Sequence, residues 1–419
     1  MRLLHSADWH LGKSLFGKKR DTEHEAFLRW LTAEVRREQV DVLLIAGDVF
    51  DTTTPPHRAQ ELYYQFLMGL QGTSVHHVVV VGGNHDSAAF LEAPGPLLKI
   101  LNIHVTALYT EPANEVLVLL DSEGLPEAVV GAVPYLRERD LRLQESGETV
   151  TEKEELLKAA VAEHYAQVVS AAQQARLAAE QKAQREVPLI LTGHLFTSGG
   201  VTAEGDGVRE LYVGTLGHVG PAIFAGADYT ALGHLHVPQE VGSPLVRYSG
   251  SPLPMGFGEA GQQKSVCLVN FQGRSAQVSL LKVPTFQKLL SLRGDLPTLL
   301  TALTELRLTG ESVWLELLYD GLAATGTLRE DLERAAGTGA EGSPLEILRV
   351  RNLGLTKRVL QDSPEISLDD LTPIEVFERC LEANQTPESQ RAVLRRLYQE
   401  ILTTVEESGL GQASPHDAV

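Results

Sequence analysis

The chain has 419 residues, 43% of them hydrophobic, with 36 Lys and Arg against 55 Asp and Glu for a formal net charge of −19. That length implies two or three domains, the apolar fraction argues against wholesale disorder, and the acidic balance excludes a protein that coats nucleic acid by bulk charge. No apolar run reaches the roughly 18–20 residues that span a bilayer, the N-terminus lacks a signal-peptide pattern, and the two cysteines, Cys267 and Cys380, are too far apart to frame a zinc site or a disulfide scaffold, so a reducing cytoplasm is the expected compartment.

Residues 1–283 alternate between strand and helix patterns. Residues 2–6 form a short strand. Thr22-x-x-Glu25 matches a capping box ahead of a helix over 26–38, with Phe27, Leu31 and Val35 at helical spacing. Residues 41–46 (DVLLIA) read as a buried strand, Pro55-Pro56 opens a helix running to Leu70, and 76–81 and 129–133 are further strands. Residues 151–185 are rich in Ala, Glu, Gln and Lys and predict a long, partly exposed helix; strands follow at 188–192 and 229–232. This is the pattern of a layered α/β domain. Beyond Pro284 the strands at 286–292, 313–319 and 345–350 and the helices at 296–306 and 328–336 make a small α+β unit. From Leu371 the pattern is helical, with Ile374, Phe377, Leu381, Val393, Leu397 and Ile401 apolar. These either bury one another in a hairpin or form a docking face. The expected domains are therefore 1–283, 284–352 and 353–419.

Five short motifs stand at predicted strand ends: Asp8-Trp9-His10; Gly47-Asp48, with Asp51 three residues on; Gly83-Asn84-His85-Asp86; Gly193-His194; and Gly233-His234-Leu235-His236. Taken singly, each is an ordinary turn or a satisfied core histidine. In an open α/β sheet, however, loops beyond the strand C-termini gather on one edge, so five such motifs converge. Imidazole and carboxylate donors suit manganese, iron or zinc better than a magnesium or calcium cage. A carboxylate with two oxygens is suited to bridge two ions about 3.5–4 Å apart, the arrangement that activates water and clamps a phosphate for in-line attack. The glycines before Asp48, His194 and His234 are expected to leave backbone room for ions and phosphate.

The ordered set Asp-x-His, Gly-Asp, Gly-Asn-His-Asp, Gly-His and Gly-His-x-His resembles the calcineurin-like metallophosphoesterase superfamily. The flanking segments 5–12 (HSADWHLG), 46–52, 134–140, 213–216 and 248–252 are similar to those of bacterial nuclease subunits that work with an ATPase. The resemblance implies a layered metallophosphoesterase sandwich with a small α+β capping domain and C-terminal helices that dock on the ATPase subunit. It implies two divalent ions, Mn2+ foremost, with Asp8, His10 and His236 on the first, Asn84, His194 and His234 on the second, and Asp48 between them. His85 is then a proton donor to the leaving group. Asp51 stands where archaeal and eukaryotic relatives carry histidine, and its carboxylate is expected to orient His85. Asp86 either supports these loops or caps the next helix. Lys13, Lys18, Lys19 and Arg20, and separately Arg137, Arg139 and Arg142, are candidates for phosphate contacts. The implied activity is exonuclease cleavage of duplex DNA ends and endonuclease cleavage of hairpins, in DNA repair, recombination and replication, by a homodimer within a heterotetramer. A generic phosphoesterase for nucleotides or other small substrates shares every ligand, and a DNA-end scaffold with a degenerate site is a further alternative.

Overall fold

The structure, a computed structural model, describes residues 1–141, 150–201, 219–321, 327–337 and 343–353, with the backbone alone at 150–154, and seven separate positions between 377 and 398. Arg142, the segment 213–216, Cys380 and most of the predicted C-terminal helices lie outside these residues. Contacts divide the chain into two compact units, Met1–Lys288 and Leu289–Val419.

In the first unit the chain runs through β1 (Arg2–Ser6), a two-stranded ribbon of β2 (Ser14–Leu15) and β3 (Lys18–Lys19), α1 (Asp21–Arg37), β4 (Val42–Ala46), α2 (His57–Gly69), β5 (His77–Val81), α3 (Ala88–Glu92), α4 (Gly95–Ile100) and β6 (Ile103–Thr106). It continues through β7 (Val116–Leu120), β8 (Pro126–Ala132), α5 (Glu138–Leu141), α6 (Val150–Ala183), β9 (Leu189–His194), β10 (Tyr229–Gly233), β11 (Gln239–Val241), β12 (Ser243–Tyr248), β13 (Ser265–Gln272) and β14 (Ser275–Lys282). Two six-stranded sheets result, ordered β14-β13-β1-β4-β5-β6 and β11-β12-β10-β9-β8-β7. Each has four parallel strands: β1, β4, β5 and β6 in one, β12, β10, β9 and β8 in the other.

Strand periodicity explains the layering. Along β4, Val42, Leu44 and Ala46 face a core shared with Val130, Ile190 and Ala231 of the other sheet. The alternate residues Leu43 and Ile45 join Phe27, Leu31 and Val35 of α1 and Tyr63 and Phe66 of α2. On the outer face of the second sheet, Tyr165, Val168 and Val169 of α6 pack with Leu191 and Leu232. The order is thus helix, sheet, sheet, helix. The central strands of the parallel cores are buried on both faces, which is why 41–46 reads as an unbroken apolar run.

Three local expectations need correction. Helix α1 begins at Asp21 and its N-cap position, Arg20, makes no side-chain cap bond, so Thr22 and Glu25 lie inside the first turns rather than forming a capping box. The antiparallel hairpin β13–β14, paired from Ser265 with Lys282 to Gln272 with Ser275, is absent from the sequence reading, because β14 alternates a largely exposed SAQVSLLK without an apolar face strong enough to mark it. Of the hairpin of β7 with β8, the sequence pattern marks only the second strand.

The second unit holds a three-stranded sheet, β15 (Lys288–Gly294), β16 (Val313–Tyr319) and β17 (Leu345–Asn352), with α7 (Leu296–Thr309) and α8 (Leu328–Ala336). Leu299, Leu303, Leu315, Leu317, Leu332 and Ile347 form its core. Asp295 caps α7 by accepting from Thr298 N at 3.0 Å, and Gly310, at φ 69°, terminates it. Among the described residues no helix is long and apolar enough to cross a membrane.

Candidate metal centre

All five motifs emerge at the carboxyl edges of parallel strands. β1, β4 and β5 lie side by side in the first sheet, and β9 and β10 in the second, with His194 in register with Gly233. Two hydrogen bonds join the edges of the two sheets: His194 Nδ1 donates to Ala46 O at 2.9 Å, and His234 N donates to Asp8 Oδ1 at 2.9 Å. Past their strands, the Asp8 and Asp48 loops stay zipped together, with Asp8 N donating to Gly47 O and His10 N to Asp48 O, each at 3.0 Å. Asp8, His10, Asp48 and His234 hold φ values of 54°, 46°, 49° and 102°, a region that costs non-glycine residues of order 1–3 kcal/mol each. Strain of this kind persists only where surrounding bonds impose it.

The glycines serve these approaches rather than leaving space for ligands. A Cβ on Gly233 would stand 1.8 Å from Ala46 O, and one on Gly47, at φ 89°, would stand 2.2 Å from His194 Nδ1. The room expected for ions and phosphate is occupied by the opposing sheet edge at Gly47 and Gly233, and by Tyr165 of α6, 2.0 Å from a Cβ on Gly193.

The donor atoms fall into two sets around Asp48. In the first, His10 Nε2 and His236 Nε2 are 3.2 Å apart, and Asp8, His10 and His236 each bring a ligand atom within 4.8 Å of the others. In the second, Asn84 Oδ1 is 3.0 Å from both His194 Nε2 and His234 Nδ1. Asp48 Oδ2 is 3.7 Å from His10 Nε2 and 3.2 Å from His194 Nε2. Tautomers follow from the partners. Ala46 O can only accept, so His194 carries its proton on Nδ1 and presents an Nε2 lone pair; the Asp51 carboxylate, 3.2 Å from His10 Nδ1, does the same for His10. Lone pairs of His194 Nε2, Asn84 Oδ1 and Asp48 Oδ2 thus face one another, an arrangement that calls for a cation or a proton. Asp8 Oδ2 is buried without a hydrogen-bond partner. This donor set fits divalent metal binding.

The electrostatics show what the proton does in the metal's stead. Burial works against charge on His194, yet Asp48 outweighs it and raises His194 to about 9. Burial likewise opposes the Asp48 charge, and His194 and His10 hold it well below the usual carboxylate range. Burial lowers His10 to about 4 and His234 to about 3, keeping both neutral as ligands require, and it raises Asp8 to about 6.

Other candidate residues fall in varied places. His85 is half-buried; its Nδ1 lies 2.8 Å from the backbone carbonyl of Asp51, and its N donates to Asp48 Oδ1 at 2.9 Å. The expected carboxylate contact from Asp51 to His85 is therefore replaced by a contact through the Asp51 main chain, while the carboxylate serves His10 and Lys13, the latter at 3.1 Å. Asp86 does not cap α3, which Ser87 caps by accepting from Phe90 N. The buried Asp86 carboxylate instead accepts from Gly83 N at 2.9 Å, Val49 N at 3.1 Å and Phe50 N at 2.9 Å, tying the second and third motifs together. Arg20 is buried, bonded to Glu23 at 2.8 and 2.7 Å and to Pro254 O; it is a packing residue and no candidate for phosphate. Lys18 is half-buried and Lys19 exposed on β3, Arg137 donates to Asp86 O at 3.3 Å, and Arg139 is 72% exposed. Sequence reasoning missed Glu259 and Lys264, which lie buried behind His236.

A fold of two stacked sheets with this ordered donor set at their joined edges defines a calcineurin-like phosphoesterase, and residues 1–238 match the family model of that description. Residues 285–385 match the model of the type 5 capsule protein repressor C-terminal domain. The chain is 37% identical over 410 residues to SbcD, the nuclease subunit of SbcCD, from Escherichia coli K12, covering 97% of this chain and 98% of that one. It is 35% identical over 370 residues to the SbcD of Rhodobacter capsulatus, covering 85% and 87%, and 37% identical over 276 residues to that of Bacillus subtilis, covering 64% and 66%. The chain belongs to the SbcD family of nuclease subunits within the calcineurin-like phosphoesterases.

The His194–Asp48 pair generates a prediction. Raised above its ordinary 6.5 to about 9, His194 stabilises the metal-free fold fully below pH 6.5, and that contribution is lost as pH rises through 9. A metal that takes the Nε2 lone pair must displace the proton. Divalent-ion binding near pH 7.5 is therefore expected to release about one proton per chain from this pair, and affinity to climb with pH up to about 9. Calorimetry in buffers of different ionisation enthalpy measures the release; a value of zero contradicts the assignment.

Proposed function

We propose that this chain is a two-metal DNA nuclease, cutting duplex ends exonucleolytically and hairpins endonucleolytically as the nuclease subunit of an SbcCD complex. The observation that carries the proposal is Asp48 Oδ2 standing 3.7 Å from His10 Nε2 and 3.2 Å from His194 Nε2, with one donor set on either side. Asp8, His10 and His236 would hold the first ion and Asn84, His194 and His234 the second, with Asp48 as the ligand placed to serve both. A mixed imidazole, carboxylate and amide set suits manganese, iron or zinc, and the family resemblance puts Mn2+ first among them. Bound ions supply the Lewis acidity that activates water and neutralises the scissile phosphate.

The protein's own groups do the rest. Strained, zipped loops fix the ligands before substrate arrives, so little reorganisation is needed. The Asp51 carbonyl accepts from His85 Nδ1–H, so Nε2 is the nitrogen left for acid chemistry: as the imidazolium, His85 gives the Nε2 proton to the leaving oxygen of the sugar and the ring returns to neutral. The Asp51 carboxylate holds His10 in its ligand tautomer. Lys13, Lys18, Lys19, Arg137 and Arg139 are the basic groups offered to DNA phosphates; with a net charge of −19, the ions and the ATPase subunit SbcC provide the rest of the attraction. The chain works in the cytoplasm, in repair, recombination and replication, with the C-terminal region docking on SbcC.

For assembly, a homodimer within an SbcCD heterotetramer is the reading we favour. On α2, Leu62 and Phe66 are 3% and 5% exposed and belong to the sheet-facing core, so they offer no surface for pairing. The exposed apolar residues of α2 and α4 are Met68, Leu97 and Ile100, at 57%, 64% and 79%. The chain is expected to scatter light as a dimer at micromolar concentration, and Ile100→Asp with Leu97→Asp to shift it to monomer; a monomeric parent protein contradicts this.

The test of the chemistry is His85→Gln, assayed on a DNA hairpin, bis-p-nitrophenyl phosphate and cyclic nucleotides. Loss of general-acid help typically costs about 10²–10⁴-fold, so the variant is expected to keep two Mn2+ ions and its DNA affinity while hairpin cleavage falls by that factor. A variant that binds one ion fewer makes His85 a ligand. A parent protein that hydrolyses only the small substrates contradicts the nuclease reading.

A further inference from the structure

Between β12 and β13, residues 249–264 wrap behind His236, outside all five ligand motifs. Lys264 and Glu259 are 4% and 0% exposed in this segment and are paired through Nζ and Oε2. The Lys264 ammonium also donates to His236 O at 3.0 Å, Ser251 Oγ at 3.1 Å and Gln262 Oε1 at 3.2 Å. Glu259 Oε2 accepts from Met255 N at 3.0 Å. Its other oxygen, Oε1, is buried with no hydrogen-bond partner and lies 3.6 Å from His236 Nδ1. Ser251 N donates to His236 O at 3.1 Å, so the same segment grips both the main chain and the ring of His236.

A buried ion pair is weak evidence for stability, because desolvation offsets most of its attraction. Its geometry here is specific instead. One carboxylate oxygen is saturated by Lys264 and a backbone N–H, while the other stands against a single imidazole nitrogen. His236 Nε2 stands 3.2 Å from His10 Nε2, so both rings serve the first metal only if each keeps its proton on Nδ1. Asp51 secures that for His10. We propose that Glu259, held by Lys264, is the matching positioning residue for His236: its Oε1, 3.6 Å from Nδ1, is placed to close on that nitrogen and accept a hydrogen bond from Nδ1–H, fix the ring's tautomer and angle, and set the affinity of the first metal site while leaving the second untouched. The inference rests on the two-ion reading above. It deepens that reading by making one site depend on a segment remote from the ligand motifs.

The experiment is a Mn2+ titration of the full-length metal-free protein by calorimetry, checked by electron paramagnetic resonance of bound Mn2+. It compares the parent with Glu259→Gln and with the double variant Glu259→Gln, Lys264→Gln, which leaves no buried charge unpaired. Removing such an outer partner of a ligand histidine typically costs about 10–100-fold in metal affinity. The expected result is that one class of Mn2+ site weakens by that factor in both variants, the other class is unchanged, and cleavage returns at high Mn2+. Thermal melting of the metal-free variants reports folding separately. A parent that binds no pair of ions overturns the two-ion reading itself. A parent that binds two, with Glu259→Gln unchanged, overturns the inference alone. Parent affinity restored in the double variant overturns it as well, since the loss then came from an uncompensated Lys264. Should Glu259→Gln fail to fold, the double variant decides by the same isotherm.

Discussion

Asp48 is a carboxylate with 2% exposure, set between His10 at the end of one sheet and His194 at the end of the other. Asp8, fully buried, stands beside it and accepts from His234 N. Burying an uncompensated charge costs several kcal/mol, a large share of the roughly 5–15 kcal/mol that keeps a protein folded. Two such carboxylates at a sheet junction therefore demand positive charge. In the metal-free chain a proton on His194 supplies it; bound divalent metal would supply it in its place. The strained loops and the tautomer-fixing partners meet that demand at one place.

The joining of the edges explains why the motifs are built as they are. His194 reaches Ala46 O only because Gly47 and Gly233 carry no side chain. The left-handed backbone at Asp8, His10 and Asp48 turns three donors inward while the N–H groups of Asp8 and His10 stay zipped to the neighbouring loop. Asp86 then locks the second loop to the third with three backbone N–H bonds. Ligands fixed in this way lose little entropy when ions bind.

Much of this was legible in the sequence because parallel strands buried on both faces read as apolar runs, and the runs at 41–46, 76–81, 188–192 and 229–232 each end on a motif. Convergence followed from the rule that sites form at the carboxyl edge of such sheets. What was illegible depended on partners distant in the chain. Arg20 looks like the last of a basic surface run, but Glu23 one turn on and Pro254 O bury it. Asp51 pairs by motif with His85, yet its carboxylate belongs to His10. Glu259 carries no local signature, since its meaning lies wholly in its approach to His236. The β13–β14 hairpin is hidden by an outer strand too exposed to show an apolar face.

In the two-ion reading, one ion sits on either side of Asp48, each in its own donor set. Anomalous diffraction from crystals of the full-length protein grown with Mn2+ tests it most directly. Two peaks about 3.5–4 Å apart are expected, one within bonding distance of Asp8, His10 and His236, the other of Asn84, His194 and His234, with Asp48 contacting both. A single peak, or a pair in which Asp48 touches only one ion, would contradict it.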